Sequence, residues 1–228
     1  MKVVALILAA GLGKRMGAEK KKPYLLLAGK PILFHTLGEF EECPSIDGIL
    51  LVVEKYQIDH ARSAIVDAFG CRKVINVVAG GPKRQDSVWE GIKALKGEGE
   101  LVMVHDGVRP FISQALLHEA VDTTRKSGAT VVAVPVKDTI KVVSREKKIV
   151  KTLDRETLWA VQTPQTFNHD LLKRAHEQAR QDGFYGTDDA SLVERIGVPV
   201  HIIDGSYENI KITTPEDLVL AEALLQKK

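Results

Sequence analysis

At 228 residues the chain suits one large domain, and 44% hydrophobic with 27% charged residues supplies a core without a disulfide scaffold or a disordered reading. A net charge of +2 falls short of the excess that marks a dedicated nucleic-acid binder, and no apolar run reaches the roughly 18 residues of a membrane span. Cys43 and Cys71 lack the spacing of a zinc or redox motif, which removes a structural zinc centre from consideration.

The first apolar run, 3–9, has strand length and ends near glycine, so it predicts a buried parallel strand. It resembles a secretion signal only superficially, because it leads into the glycine-rich basic stretch Gly11-Leu12-Gly13-Lys14-Arg15 where a cleavage region belongs; the expectation is a soluble, cytoplasmic chain. Similar strand-like runs recur at 48–53, 73–78, 101–105, 130–134 and 200–204. Between them, 31–40, 58–69, 85–95 and 113–126 carry apolar residues at helical period, with Pro31 in a first turn and Ser113 as an N-cap. Strands alternating with helices predict right-handed crossovers and a doubly wound, mainly parallel open α/β sheet.

The alternation breaks at 138–153, where two β-rich runs flank the charged turn Ser144-Arg145-Glu146-Lys147-Lys148 and predict a projecting β-hairpin arm. Such a hairpin has too little apolar surface to stand alone in water. It packs either against a second subunit or back onto its own domain, and the pattern leaves both open. Helices follow near 170–181 and 191–196, and a last one at 215–226 is capped by Thr214. The whole of 1–228 reads as a single domain with the arm as an excursion.

Open α/β sheets bind ligands beyond the carboxyl ends of their strands, so the loops after the apolar runs are where chemistry is expected. The first, Ala9-Ala10-Gly11-Leu12-Gly13-Lys14-Arg15-Met16-Gly17, frees backbone N–H groups to face an anion, and Lys20, Lys21 and Lys22 add charge close by. It lacks the GxxxxGK[ST] of a P-loop, and Met16 stands where a dinucleotide fingerprint needs glycine. It is either a phosphate loop of another kind or an ordinary strand-to-helix turn with a solvated basic face. The second loop begins at Asp106, which at a strand end is placed to hold Mg²⁺ between phosphates or, alternatively, to cap a turn. Its neighbour His105 is expected to be packed or hydrogen-bonded. In the third, Gly80-Gly81 lets a flat base approach the backbone while Ser87 meets its edge; a loop ending in an N-cap is the other reading.

The segment Leu8 to Met16 resembles the signature loop of sugar-phosphate nucleotidyltransferases. Further along stand Arg84-Gln85-Asp86-Ser87-Val88, Val104-His105-Asp106, Arg109-Pro110, Asp138-Thr139, Asp154-Arg155, Thr163-Pro164-Gln165, Thr187-Asp188-Asp189-Ala190 and Asn209-Ile210-Lys211-Ile212-Thr213. In this order and over nearly the whole chain, they make it similar to the 2-C-methyl-D-erythritol 4-phosphate cytidylyltransferase family of the non-mevalonate isoprenoid pathway. The resemblance implies a Rossmann-like nucleotidyltransferase fold, CTP as co-substrate, Mg²⁺, and a homodimer whose 138–153 arm reaches the partner's site. By position it implies Arg15 and Lys22 as the catalytic cations on the CTP phosphates. Ala9, Ala10, Gly11, Gly13, Gly81 and Ser87 would hold the nucleotide, and Asp106 would meet ribose and metal. Arg109, Thr163 and Lys211, with Thr139 and Arg155 from the other subunit, would bind methylerythritol phosphate.

The residues suit that chemistry. A phosphate nucleophile is already charged at neutral pH and needs no general base, so positioning and electrostatic stabilisation suffice. The chain departs from the family pattern at Pro23, where glutamine is common, at Pro82, where an acid is frequent, and at Gly107-Val108, where alanines are usual. The nearest rival is a cytidylyltransferase for ribitol 5-phosphate, against which the 84–87 and 187–191 motifs weigh. A non-catalytic nucleotide-binding module would be expected to lose a phosphate-gripping residue, and a nicotinamide dehydrogenase would need the missing glycine.

Overall fold

The computed structural model describes residues 2–11, 22–97 and 99–227. Its first strand, β1 (Val3–Leu8), is apolar throughout because both faces are covered. Val3, Ala5 and Ile7 enter the core on one face of the sheet and Val4 and Leu6 the core on the other. After a 3-10 turn at Lys22–Tyr24, the ribbon β2 (Leu26–Leu27) and β3 (Lys30–Pro31) delivers Pro31 as the N-cap of α1 (Ile32–Glu42). Then come β4 (Gly48–Val53), α2 (Ile58–Ala61), β5 (Val74–Ala79), α3 (Arg84–Ala94) and β6 (Leu101–Asp106). The helix expected over 58–69 is in fact α2 followed by a π-helical turn, Arg62–Asp67.

Helix α4 (Gln114–Ser127) begins where Ser113 accepts a hydrogen bond from Leu116 N and stops at Gly128, whose φ of 82° only glycine adopts without strain. It is followed by β7 (Ala129–Pro135), the pair β8 (Lys141–Val143) and β9 (Ile149–Thr152), β10 (Trp159–Asn168), α5 (His169–Gln181), α6 (Asp189–Arg195), β11 (His201–Asp204) and α7 (Pro215–Leu225). Thr214 caps α7 in a capping box with Asp217. Among the described residues no helix is long and apolar enough to cross a membrane.

The main sheet runs β11-β7-β10-β6-β1-β4-β5, parallel except for β10. From β1 the chain winds outward through β4 and β5, then returns past β1 to β6. Strand order therefore reverses between β1 and β6, and Leu8 pairs with Asp106 at that crevice. Helices α1, α2 and α4 cover one face; α3, α5 and α6 cover the other. Helix α7 packs on a smaller cluster of Leu27, Ile32, Phe111 and Ile212.

Strand β10 is the element that the apolar pattern did not announce. Gln162, Pro164 and Gln165 break the run, and its ladder to β7 shifts register between Val161 and Gln165. The arm is a two-stranded sheet of its own, and every residue of β8 and β9 is exposed.

Candidate functional site

Three loops meet over the crevice because short backbone bonds tie them to neighbouring strands. Ala9 N donates to Val52 O at 2.7 Å, Gly80 N to Val53 O at 2.7 Å and Gly107 N to Leu8 O at 2.8 Å. Between them lies a cavity of about 510 Å³ whose wall includes Ala9, Ala10, Gly11, Gly81, Ser87 and Asp106. Among the described residues a Cβ on Gly11 would meet nothing within 4 Å, and its backbone lines the cavity. Gly13 and Arg15 lie outside the described residues. Lys22 reaches the same wall and donates from Nζ to Thr213 O at 2.6 Å. Pro23 is buried in the turn beside it, and both Pro82 and Val108 also line the cavity.

At the third loop glycine answers to close packing. A Cβ on Gly80 would come within 2.6 Å of Ala10 Cβ and 2.7 Å of Ser87 Oγ, and one on Gly81 would collide with Asp86. Ser87 Oγ accepts from Gly81 N at 3.2 Å, so it clamps the loop that it helps to line. The bare glycine backbones thus let the β5–α3 turn close on the first loop.

Asp106 ends β6 at the centre of the site, and its side chain is 9% exposed. Lys211 Nζ stands 2.6 Å from Oδ2, Arg84 Nε 3.4 Å from Oδ1 and Arg109 Nε 4.0 Å from Oδ2. Burial alone would raise this carboxyl, but Arg84, Lys211 and Arg109 together hold it far below the usual carboxylate range. Burial lowers the Arg109 guanidinium, with Asp106 opposing; its Nη1 donates to Asn209 O at 2.7 Å.

Behind Asp106, burial pushes the His105 imidazole down to about 4, so it is neutral near pH 7. Its Nε2 faces Arg109 O at 3.0 Å, a carbonyl that only accepts, which places the proton on Nε2. Nδ1 then accepts from Thr163 Oγ1 at 3.1 Å, and Thr163 Oγ1 accepts from Asp106 N at 3.1 Å. His105 and Thr163 thus brace the backbone that carries Asp106.

A second cavity of about 300 Å³ adjoins the first and is lined by Arg109, Val161, Thr163, Thr187 and Asp188 among others. Gln162 and Gln165 also reach it, yet their amides are spent on structure. Gln162 binds Ser206 O and Asn209 Nδ2; Gln165 binds Asp188, Asp189 N and Ala190 N. The two cavities share Arg84, Asp106 and Lys211. Thr139 and Arg155 line neither; both are exposed, and Arg155 Nη1 donates to Lys137 O at 3.2 Å.

Arg84 lines both cavities, although the 84–88 motif by itself assigns it no role. The signal was its place at the first residue of α3, directly after the glycine loop. Thr187 likewise lines the second cavity while its motif assigns it no role.

Comparison with known proteins follows the same lines. The family model for 2-C-methyl-D-erythritol 4-phosphate cytidylyltransferase matches residues 3–227. The protein of that name from Geotalea uraniireducens is 52% identical over 99% of this chain and 97% of its own length. The one from Geobacter metallireducens is 50% identical over 100% of this chain and 99% of its own. The crystal structure of 4-diphosphocytidyl-2C-methyl-D-erythritol synthase from Anaerococcus prevotii superposes with a TM-score of 0.86 at 35% identity, covering 99% of this chain and 96% of that one.

Proposed function

The chain belongs to the 2-C-methyl-D-erythritol 4-phosphate cytidylyltransferase family, and from that premise we propose how its two adjoining cavities divide the reaction. The enzyme transfers CMP from CTP to 2-C-methyl-D-erythritol 4-phosphate, giving 4-diphosphocytidyl-2-C-methyl-D-erythritol and pyrophosphate. CTP takes the larger cavity, methylerythritol phosphate the smaller. A phosphate oxygen of the second substrate attacks the α-phosphorus in line; the new P–O bond forms as the bond to the bridging oxygen breaks, and pyrophosphate leaves with that electron pair. The observation that carries this reading is the shared wall of Arg84, Asp106 and Lys211, which brings the two phosphates to one charged junction.

Backbone N–H groups of Ala10 and Gly11, with the Gly13 segment, cradle the nucleotide phosphates, and Ala9, whose own N–H is bonded to Val52 O, lines the nucleotide's wall. Arg15 and Lys22 stabilise the charge that gathers on the crowded phosphorus. Gly81 and Ser87 hold the base side of the nucleotide, and Asp106 the ribose. Arg109, Thr163 and Lys211 bind the polyol phosphate. No general base is required, and neutral, enclosed His105 supplies none.

Mg²⁺ fits this site in one way. Among the described residues no group of three or more acidic, histidine or cysteine side chains is placed to hold a metal ion, so these residues form no all-protein cage. Asp106 is one ionised carboxylate on the cavity wall, which is the contribution Mg²⁺ takes when phosphates and waters complete its shell. There the ion would neutralise phosphate charge, and Lys211, whose side chain is 40% exposed, has room to turn aside.

The arm supports a homodimer. Val142, Val143, Ile149 and Val150 are exposed on a ribbon that joins no other strand among those described. A second subunit covering them brings Thr139 and Arg155 to its neighbour's second cavity. Cys43 and Cys71 are buried free thiols, in keeping with a reducing cytoplasm.

The test is pyrophosphate release with Mg²⁺, pairing CTP, ATP, GTP or UTP with methylerythritol 4-phosphate or ribitol 5-phosphate. Turnover confined to CTP with methylerythritol phosphate is expected. Preference for ribitol phosphate would reassign the second cavity, and CTP binding without turnover would sink the catalytic reading.

A further inference from the structure

We infer that Arg84 is a positioning residue for the transfer, set in its working orientation by the buried pair Asp189 and His176. The inference rests on the nucleotidyl-transfer reading above. Arg84 sends its two ends to different carboxylates, Nε to Asp106 Oδ1 at 3.4 Å and Nη1 to Asp189 Oδ2 at 2.6 Å. The second contact is the tighter one, so Asp189 fixes the guanidinium plane and the guanidinium in turn aims Asp106.

Asp189 is itself held on every side. Its Oδ1 lies 3.1 Å from His176 Nε2, and the two side chains are 1% and 0% exposed. Its backbone N donates to Gln165 Oε1 at 3.0 Å, which ties the start of α6 to β10. His176 is stacked on Trp89 with rings 16° apart. Burial alone would lower the Arg84 guanidinium, but Asp189 and Asp106 beside it hold it above its ordinary value.

A purely structural role does not account for this arrangement. Buried ion pairs are often no more stabilising than apolar side chains of the same volume, so stability alone gives little reason for a charged chain here. This one ends at the junction of the two cavities, on the carboxylate that both share. Lysine could match the charge of Arg84, but one ammonium cannot present a planar fork to two carboxylates.

The experiment is a double-mutant cycle on kcat with Arg84→Lys and Asp189→Asn, each variant checked for fold by circular dichroism and melting. Misplacing a reacting group by about 1 Å costs on the order of 100-fold, so Arg84→Lys is expected to lower kcat by about that factor and Asp189→Asn by about tenfold. If Asp189 acts through Arg84, the double variant is no slower than Arg84→Lys within about threefold. Multiplying losses, or an Arg84→Lys enzyme with wild-type kcat, would overturn the relay. Should Asp189→Asn fail to fold, His176→Gln takes its place in the same cycle and must show the same non-additivity. Wild-type turnover is measured first: its absence refutes the transfer reading, whereas multiplying losses in an active enzyme refute the relay alone.

Discussion

Asp106→Asn removes the charge on which three cations converge, and its cost to stability should exceed that of Lys211→Met even though both abolish most turnover. Taking one partner from a buried pair costs about 3–5 kcal/mol because the other charge is left uncompensated. Here the lower end applies. Lys211 is 40% exposed and rehydrates, and Arg84 keeps Asp189, so Arg109, 12% exposed, is the cation most stranded. We expect about 3 kcal/mol for Asp106→Asn, or a melting point roughly 6–12 °C lower in a chain of this size. Lys211→Met leaves Asp106 paired with Arg84 and Arg109, and an exposed partner is worth about 0–1 kcal/mol. Asp106 titrates below its ordinary value in the folded chain. Its contribution is therefore complete above an unfolded value of about 3.9 and is lost as pH falls toward the folded one. Urea unfolding between neutral pH and about pH 3 reads both effects: the gap between wild type and Asp106→Asn should be full at neutrality and begin to narrow below about pH 4. A gap under about 1 kcal/mol at pH 7, or one that widens as pH falls, would refute the reasoning.

Three other outcomes are expected. Lys22→Ala lowers kcat on the order of 100- to 1,000-fold at saturating CTP with little change in melting point, since the lysine's charge is needed mainly in the transition state; steady-state kinetics and a melt check it. Gly80→Ala drives a methyl into Ala10 and Ser87, parts the first and third loops, and weakens CTP binding by about tenfold or more in calorimetry. Lys22→Ala subunits mixed with Arg155→Ala subunits regain roughly a quarter of wild-type activity, because half the dimers are mixed and each carries one intact site. No recovery after proven subunit exchange would place Arg155 outside the partner's site.

The strand-and-helix alternation was legible because a parallel strand covered on both faces is apolar at nearly every position, as in β1, β4 and β6. From that alternation follow the doubly wound sheet and a crevice at its strand ends, and with them the glycine loop and Asp106. The caps at Ser113 and Thr214 are equally local, since each is a hydroxyl meeting the backbone N–H three residues on. Strand β10 was hidden because glutamines and a proline interrupt its apolar run, yet its place beside β6 is what sets Thr163 behind Asp106. Nor does any local pattern reveal that Arg84 meets Asp189 across 105 residues, or that Lys211 returns from the far end of the chain to Asp106. Periodicity records which side of an element is buried. Which charges then face one another depends on strand order, and that is decided only when the sheet closes around β1.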